Sequence, residues 1–192
     1  MPWRYMDALC NVPEAMLLDP DGRGAIRQWV AWKAVPNPKK GKPDKIPLNP
    51  LTGRGASSTD SSTWGTFWNA VNFYRDWHGR EHSHKRAGGK LLTGPISGVG
   101  FVLTPPWIGF DLDHCVEQGQ IQPWAQKFVE LISSYTEISP SGTGIRIFAK
   151  GTLPFEGRKN GKIEAYQQGR YLTVTGDVVP GYGGCESLCL EN

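Results

Sequence analysis

The 192-residue sequence predicts an α+β fold, in which helices pack on a mixed, largely antiparallel sheet. Several short segments alternate apolar with polar residues, which is typical of strands that bury one face. Other segments space their apolar residues three and four positions apart, which is typical of amphipathic helices. Between residues 99 and 175 the predicted order is strand, helix, strand and hairpin. A chain of this length can bury one sizeable core.

The N-terminal half is predicted to contain two strands and a helix. Residues 1–24 are interrupted by proline and glycine, so we expect an irregular arm that packs on the domain. Strands over residues 25–35 and 45–48 enclose a basic, proline-rich turn. A helix follows, capped from residues 57–62 and ended by Gly79. Its apolar stripe consists of Trp64, Phe67, Val71 and Tyr74.

Two basic segments of this half are candidates for contact with a nucleic-acid backbone. Residues 80–90 lack a hydrophobic period and predict a mobile loop, which either contacts template phosphates or is a tolerated surface insertion. The turn over residues 36–44 is either a solvated hairpin tip or a second backbone contact. The positions we assign to DNA contact are Lys39, Lys40, Lys85 and Arg86.

The C-terminal half alternates strands with one helix. An apolar, glycine-rich strand over residues 96–103 leads into a second strand over residues 107–113. Pro123 begins a helix. A strand over residues 145–150 follows, and residues 162–166 are expected to form a hairpin with residues 170–176. The apolar face of the helix consists of Trp124, Phe128, Leu131, Ile132 and Tyr135.

A pair of carboxylates on the strand over residues 107–113 is the main functional signal. Alternation directs Ile108, Phe110 and Leu112 to one face, and it directs Asp111 and Asp113 together to the other. Two carboxylates forced together resist ionisation unless a positive charge compensates them. A divalent metal with oxygen ligands would do so, although two acids at a solvated strand end is the alternative.

A loop of small residues over positions 139–144, with the sequence SPSGTG, strengthens the metal interpretation. Such a loop exposes backbone N–H groups and hydroxyls, which suit a phosphate. Arg146 follows on the polar face of the next strand, where its guanidinium could grip phosphate oxygens. A third acid, Glu164, faces away from Ile163 and Ala165. Three acids, a phosphate loop and arginines are compatible with two-metal nucleotidyl transfer.

The order of these motifs resembles the archaeo-eukaryotic primase superfamily, most of all the primase-polymerase domains of phages and plasmids. The resemblance rests on DxD, then SPSGxG and a strand, then Glu164 ahead of GRYLTVTG. It extends from about residue 26 to residue 182 through KIPLNP at Lys45, ASSTD before Trp64, and GVGFVL. Each motif is weak alone, whereas the ordered set is fairly specific. Most relatives carry histidine at the position of Arg146, where it is implicated in holding the phosphates of the incoming nucleotide.

The resemblance implies an RRM-like palm over about residues 96–182 and an N-terminal lobe over about residues 1–95. We expect these to form a single catalytic domain over residues 1–192, excised from a longer protein. Two Mg²⁺ or Mn²⁺ ions would be held by Asp111, Asp113 and Glu164. The nucleotide-binding positions would be Ser139, Ser141, Gly142, Arg146, Arg170 and Lys45.

The function expected is template-directed DNA polymerisation with primer synthesis, in phage or plasmid replication. Another DxD metal enzyme, such as a nuclease or a glycosyltransferase, and a catalytically dead nucleic-acid-binding module are the alternatives. Expected partners are a single-stranded DNA template, a primer, dNTP or NTP, and a C-terminal helicase or accessory region of the parent protein. We expect a monomer.

Composition limits the remaining classes. The net charge of +3 permits nucleic-acid binding without arguing for it. No segment is apolar and long enough to cross a membrane, and no signal peptide is evident, so we expect a cytoplasmic protein, in the host cell if it is phage-encoded. The four cysteines lack a tight Cys-x2-Cys pair, so we expect no structural zinc.

Overall fold

The computed structural model describes residues 2–85, 89–155 and 157–185. It divides into two compact units, one formed by Leu17–Val102 and the other by Met1–Met16 with Leu103–Asn192. No helix among the described residues has the length and apolarity needed to span a membrane.

Short helices and antiparallel strands confirm the predicted α+β class. The helices are α1 (Pro2–Ala8), α2 (Phe67–Trp77) and α3 (Pro123–Ile132). The strands of the Leu17–Val102 unit are β1 (Trp29–Val35), β2 (Asp44–Leu48), β3 (Glu81–Lys85) and β4 (Leu91–Val102). Those of the other unit are β5 (Trp107–Leu112), β6 (Val116–Glu117), β7 (Gln120–Ile121), β8 (Tyr135–Ile138), β9 (Ile145–Lys150), β10 (Gly157–Asn160), β11 (Ile163–Tyr166) and β12 (Tyr171–Val174).

In the Leu17–Val102 unit, β1 is the central strand, paired antiparallel with β2 on one side and β4 on the other. Its first residues are buried on both faces, since neighbouring strands and α2 cover them. Edge-to-face aromatic contacts hold α2 on the sheet: the ring centroid of Trp29 lies 4.8 Å from that of Phe67 and 5.1 Å from that of Phe101.

The prediction of a loop over residues 80–90 is wrong for Glu81–Lys85, which forms β3 and pairs antiparallel with β4. His82 and His84 lie on the more buried side of this strand. Since histidine was counted as polar, the period of two was hidden. The buried ammonium of Lys33 also holds the strand, donating to the carbonyl of His82 at 2.8 Å.

Two helix starts also differ from the prediction. The arm over residues 1–24 is not wholly irregular, because it begins with α1, whose Tyr5 hydroxyl donates to the Val174 carbonyl at 2.6 Å. Tertiary contact of this kind stabilises a helix too short to form by itself. The cap of α2 is Thr66 instead of a residue in 57–62, where Asp60 caps a separate 3₁₀ turn.

In the other unit, a five-stranded antiparallel sheet has the order β10-β11-β5-β9-β8. Its apolar face packs under α3 in one core cluster. As predicted, β5 contributes Ile108, Phe110 and Leu112 to this core, and β9 contributes its own alternate residues. The opposite face of the same strands carries Asp111 and Arg146 beside the buried rings of Trp107 and Phe148.

Two predictions about this unit need correction. The helix begins at Pro123 as expected but ends at Ile132, so that Tyr135 belongs to β8, and Leu131 is 77% exposed. The hairpin expected between residues 162–166 and 170–176 does not form, because β11 is paired on its two sides by β10 and β5.

The cap of α2 yields a first prediction. The Thr66 hydroxyl accepts from the Asn69 N–H at 3.2 Å, and the Asn69 side chain accepts from the Thr66 N–H at 3.0 Å. Thr66→Ala removes one half of this capping box and should lower the free energy of unfolding by about 1 kcal/mol. Urea denaturation of Thr66→Ala and of the hydroxyl-retaining Thr66→Ser measures the effect. Equal stability of the two variants would contradict the capping role.

Candidate active site

Five charged residues of the five-stranded sheet lie in one row across it. Strand register pairs Lys159 with Glu164, Glu164 with Asp111, Asp111 with Arg146, and Arg146 with Glu137. Directly opposed residues of antiparallel strands project from the same face, about 5 Å apart. The structure therefore brings Asp111 and Glu164 together, opposite the core, at adjacent positions of this row.

Asp113 lies one residue beyond β5, at the end of the sheet where the loop over residues 139–144 also lies. Its N–H donates to the Lys162 carbonyl at 2.8 Å, and His114 then turns the chain with a φ of 51°. The N–H groups of Cys115 and Val116 donate to the Thr143 carbonyl at 2.9 and 3.1 Å. The loop is thus bonded to the segment that directly follows the second acid.

The loop is closed on itself by its small residues. The Ser139 N–H donates to the Gly144 carbonyl at 2.9 Å, and the Gly142 N–H donates to the Ser139 carbonyl at 2.8 Å. Gly142 has a φ of 73°, and a Cβ at Gly144 would lie 2.7 Å from the Leu112 carbonyl oxygen. Both glycines are therefore required by the conformation. Ser141 and Gly142 are exposed at its tip, whereas Ser139 is largely buried.

Arg146 is the buried cation of the row, with 4% of its surface exposed. Its Nε lies 3.4 Å from Asp111 Oδ1 and makes no hydrogen bond among the described residues. Its Nη1 donates to the Thr173 carbonyl at 2.9 Å and also contacts the Thr173 hydroxyl. The guanidinium is thus held between β5 and β12 and presents little surface to solvent.

Glu137 is a buried acid that our sequence reasoning missed. Its carboxylate accepts hydrogen bonds from the Thr175 N–H at 2.9 Å, the Gly176 N–H at 3.0 Å and the Tyr135 hydroxyl at 3.0 Å. Burial raises its pKa to about 7, an effect that the nearby Arg146 charge and the hydrogen bonds only partly offset. The sequence did carry a signal for Glu137, because this acid lies just before the loop over residues 139–144 and belongs to a strand that must pair with the strand of Arg146.

Glu164 lies at the more exposed end of the row among polar partners. The Lys159 ammonium contacts its Oε1, and the Tyr166 hydroxyl donates to its Oε2 at 3.0 Å. Burial raises the pKa of Glu164, but these two hydrogen bonds outweigh that effect and hold the pKa below its ordinary value. Arg170 is exposed nearby, with its guanidinium 5.0 Å from the Tyr166 ring centroid. Sequence reasoning had identified Arg170 but not Lys159.

The donor set suits a hard divalent cation, since three carboxylates project from one face at one end of the sheet. Among the described side chains, however, no three His, Cys, Asp or Glu residues are gathered closely enough to hold a metal as they stand. An ammonium lies between two of the acids, since Lys159 contacts Glu164 and lies 3.8 Å from Asp113 Oδ2. The acids thus already bind a cation, which is the protein's own lysine.

The remaining predicted basic residues belong to the Leu17–Val102 unit and to its loops. Lys45 is exposed on β2, with its ammonium 5.7 Å from the Trp32 ring centroid. Lys40 pairs with Asp44 at 2.8 Å, and Lys39 and Lys85 are exposed. Arg86 lies outside the described residues. Their assignment to DNA or nucleotide contact stays a prediction.

Comparison with known proteins agrees with the family resemblance expected from the ordered motifs. No protein-family model matches the chain. A DNA primase-polymerase of Nitratiruptor phage NrS-1 is 36% identical over 174 residues, which covers 85% of this chain. The chain spans 21% of that relative's length.

This similarity supports the resemblance of the chain to the phage-type primase-polymerases. It is consistent with the archaeo-eukaryotic primase superfamily expected from the ordered motifs.

The raised pKa of Glu137 predicts a pH-dependent stability. Glu137 has a pKa of about 7 in the folded state and an ordinary pKa in the unfolded state. At a pH between these two values, the carboxyl is protonated in the folded protein but ionised in the unfolded chain. Stability should therefore fall as pH rises from about 5 to about 7, by roughly 3 kcal/mol from this group. Urea denaturation across this range, compared with Glu137→Gln, isolates the contribution. Parallel curves for the two proteins would remove Glu137 as its source.

The burial of Arg146 predicts a coupled effect with Glu137. At pH 8, where Glu137 is ionised, Arg146→Ala leaves a buried carboxylate without its opposite charge and should cost roughly 3 kcal/mol of unfolding free energy. Adding Glu137→Gln should recover part of that loss. A double-mutant cycle measured by urea denaturation tests this, and strictly additive effects would show that the two side chains do not interact.

Proposed function

We propose that this chain catalyses template-directed nucleotidyl transfer, adding a nucleotide from dNTP or NTP to the 3′-hydroxyl of a primer. The observation that carries the proposal is the register of Glu164 with Asp111. It aligns two carboxylates next to Asp113 and its adjoining serine–glycine loop. The relative's name, DNA primase-polymerase, supports the same chemistry over the aligned part of the chain. Phage DNA replication is the corresponding biological setting.

In this proposal Asp111, Asp113 and Glu164 hold two divalent ions, Mg²⁺ or Mn²⁺. Such ions lower the pKa of the attacking hydroxyl and neutralise charge on the phosphates. The protein supplies carboxylates that lie beside its own cations. The Arg146 guanidinium lies 3.4 Å from Asp111, and despite burial the hydrogen bonds from Lys159 and Tyr166 hold the pKa of Glu164 below its ordinary value.

The loop over residues 139–144 is proposed to bind the triphosphate. At its exposed tip, Ser141 offers a hydroxyl and Gly142, which has no side chain, lets a phosphate approach the backbone closely; Ser139 fixes the loop from beneath. Arg170 is exposed beside Tyr166 and is proposed to contact a phosphate or the template. Since Arg146 is 4% exposed, we propose that it acts on the nucleotide mainly by holding Asp111.

We propose that the template is single-stranded DNA and that the primer is base-paired to it. Exposed lysines of the Leu17–Val102 unit would contact this DNA. Such contacts are independent of sequence and weaken as salt is raised. The candidates are Lys39, Lys40, Lys45 and Lys85.

Substitution of each acid tests the proposal. Asp111→Ala, Asp113→Ala and Glu164→Ala should each reduce primer extension by about a thousandfold or more, because charge stabilisation of the transition state is lost. The assay is extension of a labelled primer on a DNA template with dNTPs and Mg²⁺ or Mn²⁺. Glu130→Ala, which removes an exposed acid from α3 of the same unit, is the matched control and should extend normally.

Two results would contradict the assignment. Near-normal extension by Glu164→Ala would remove that residue from the site. Degradation of the primer without extension by the parent protein would favour a nuclease, the alternative that a DxD site also permits.

A further inference from the structure

Lys159 is placed at the acids by the geometry of the β10–β11 hairpin. Asn160 pairs with Ile163, so the connection consists of Gly161 and Lys162 alone, and Gly161 has a φ of 58°. A two-residue connection of this kind, with glycine at the position that needs a positive φ, fixes the register of its strands. Lys159 therefore lies opposite Glu164, on the face that carries the charged row.

The ammonium of Lys159 lies between carboxylates from two different segments. It contacts Glu164 Oε1 and lies 3.8 Å from Asp113 Oδ2. The Lys159 side chain is 55% exposed, so it can move into solvent without disturbing packing, whereas those of Asp113 and Glu164 are 42% and 22% exposed. The most exposed partner of this cluster is thus its cation.

A monovalent ammonium and a divalent ion cannot share this position. The two carboxylates attract either cation, but the two cations repel each other at contact distance. Ion pairs exposed to solvent contribute little stability, so the lysine is readily displaced. Displacement nevertheless has a cost that the entering ion must offset.

We infer that Lys159 is a positioning residue that occupies the cation position between Asp113 and Glu164 until a divalent ion displaces it. The inference rests on the proposed function, because it takes these acids to be metal ligands. It implies that the parent protein binds its metal more weakly than the carboxylates alone would allow. The same lysine attracts both carboxylates until the metal binds.

The test is direct measurement of Mn²⁺ binding without nucleotide or DNA, by electron paramagnetic resonance of the free ion. Lys159→Met keeps the apolar stem and removes the ammonium, so it should lower the dissociation constant roughly three- to tenfold. Arg158→Met is the matched control. It removes the same charge from the same strand, but its guanidinium packs 5.2 Å from the Phe155 ring centroid. It should change the dissociation constant less than twofold.

The possible results separate the inference from the proposed function. Equal affinities of Lys159→Met and Arg158→Met, or weaker binding by Lys159→Met at an unchanged melting temperature, would overturn the inference alone. If the parent binds Mn²⁺ and Asp113→Asn weakens it, the metal site stands whichever way Lys159→Met behaves. Absence of Mn²⁺ binding by both the parent and Lys159→Met would overturn the metal site and the inference together.

Discussion

The alternation of side chains along antiparallel strands is the constraint on which the site depends. Because β5, β9 and β11 pack one face against α3, every second residue must point away from the core. The charged residues of these strands occupy those positions, and the register then aligns them into a row. A slip of one residue in any pairing would move the acids into the core and would destroy both the packing and the site.

The burial of the charged side chains decreases from one end of the row to the other. At one end Glu137 and Arg146 are almost completely buried, where an unpaired charge is most costly. Asp111 is intermediate, and its contact with Arg146 is fixed by the packing around both. At the other end Lys159 and Glu164 are partly exposed, where ion pairs are weak and exchangeable. An arrangement with one buried end and one exposed, exchangeable end suits the proposed metal site, where a divalent ion would replace the lysine.

Much of this site could be predicted from the sequence because its signals are local. The period of two identified the faces of β5 and β9, proline marked the start of α3, and the small residues over positions 139–144 marked the loop. What could not be predicted depends on pairing between distant segments. The role of Lys159 follows from the register of a hairpin, and that of Glu137 follows from the pairing of β8 with β9. The strand β3 was missed for a different reason, since its inward residues are histidines.

The environment of position 146 explains why arginine suits this chain. Its side chain must serve two acids, because Asp111 lies on one side in the row and the buried Glu137 on the other. A guanidinium is always charged and carries several donors, so it can bond Thr173 while its Nε faces Asp111. A neutral imidazole would leave Glu137 without a nearby positive charge and would raise its pKa further. The arginine and the buried glutamate are therefore best understood as one unit beneath the acids.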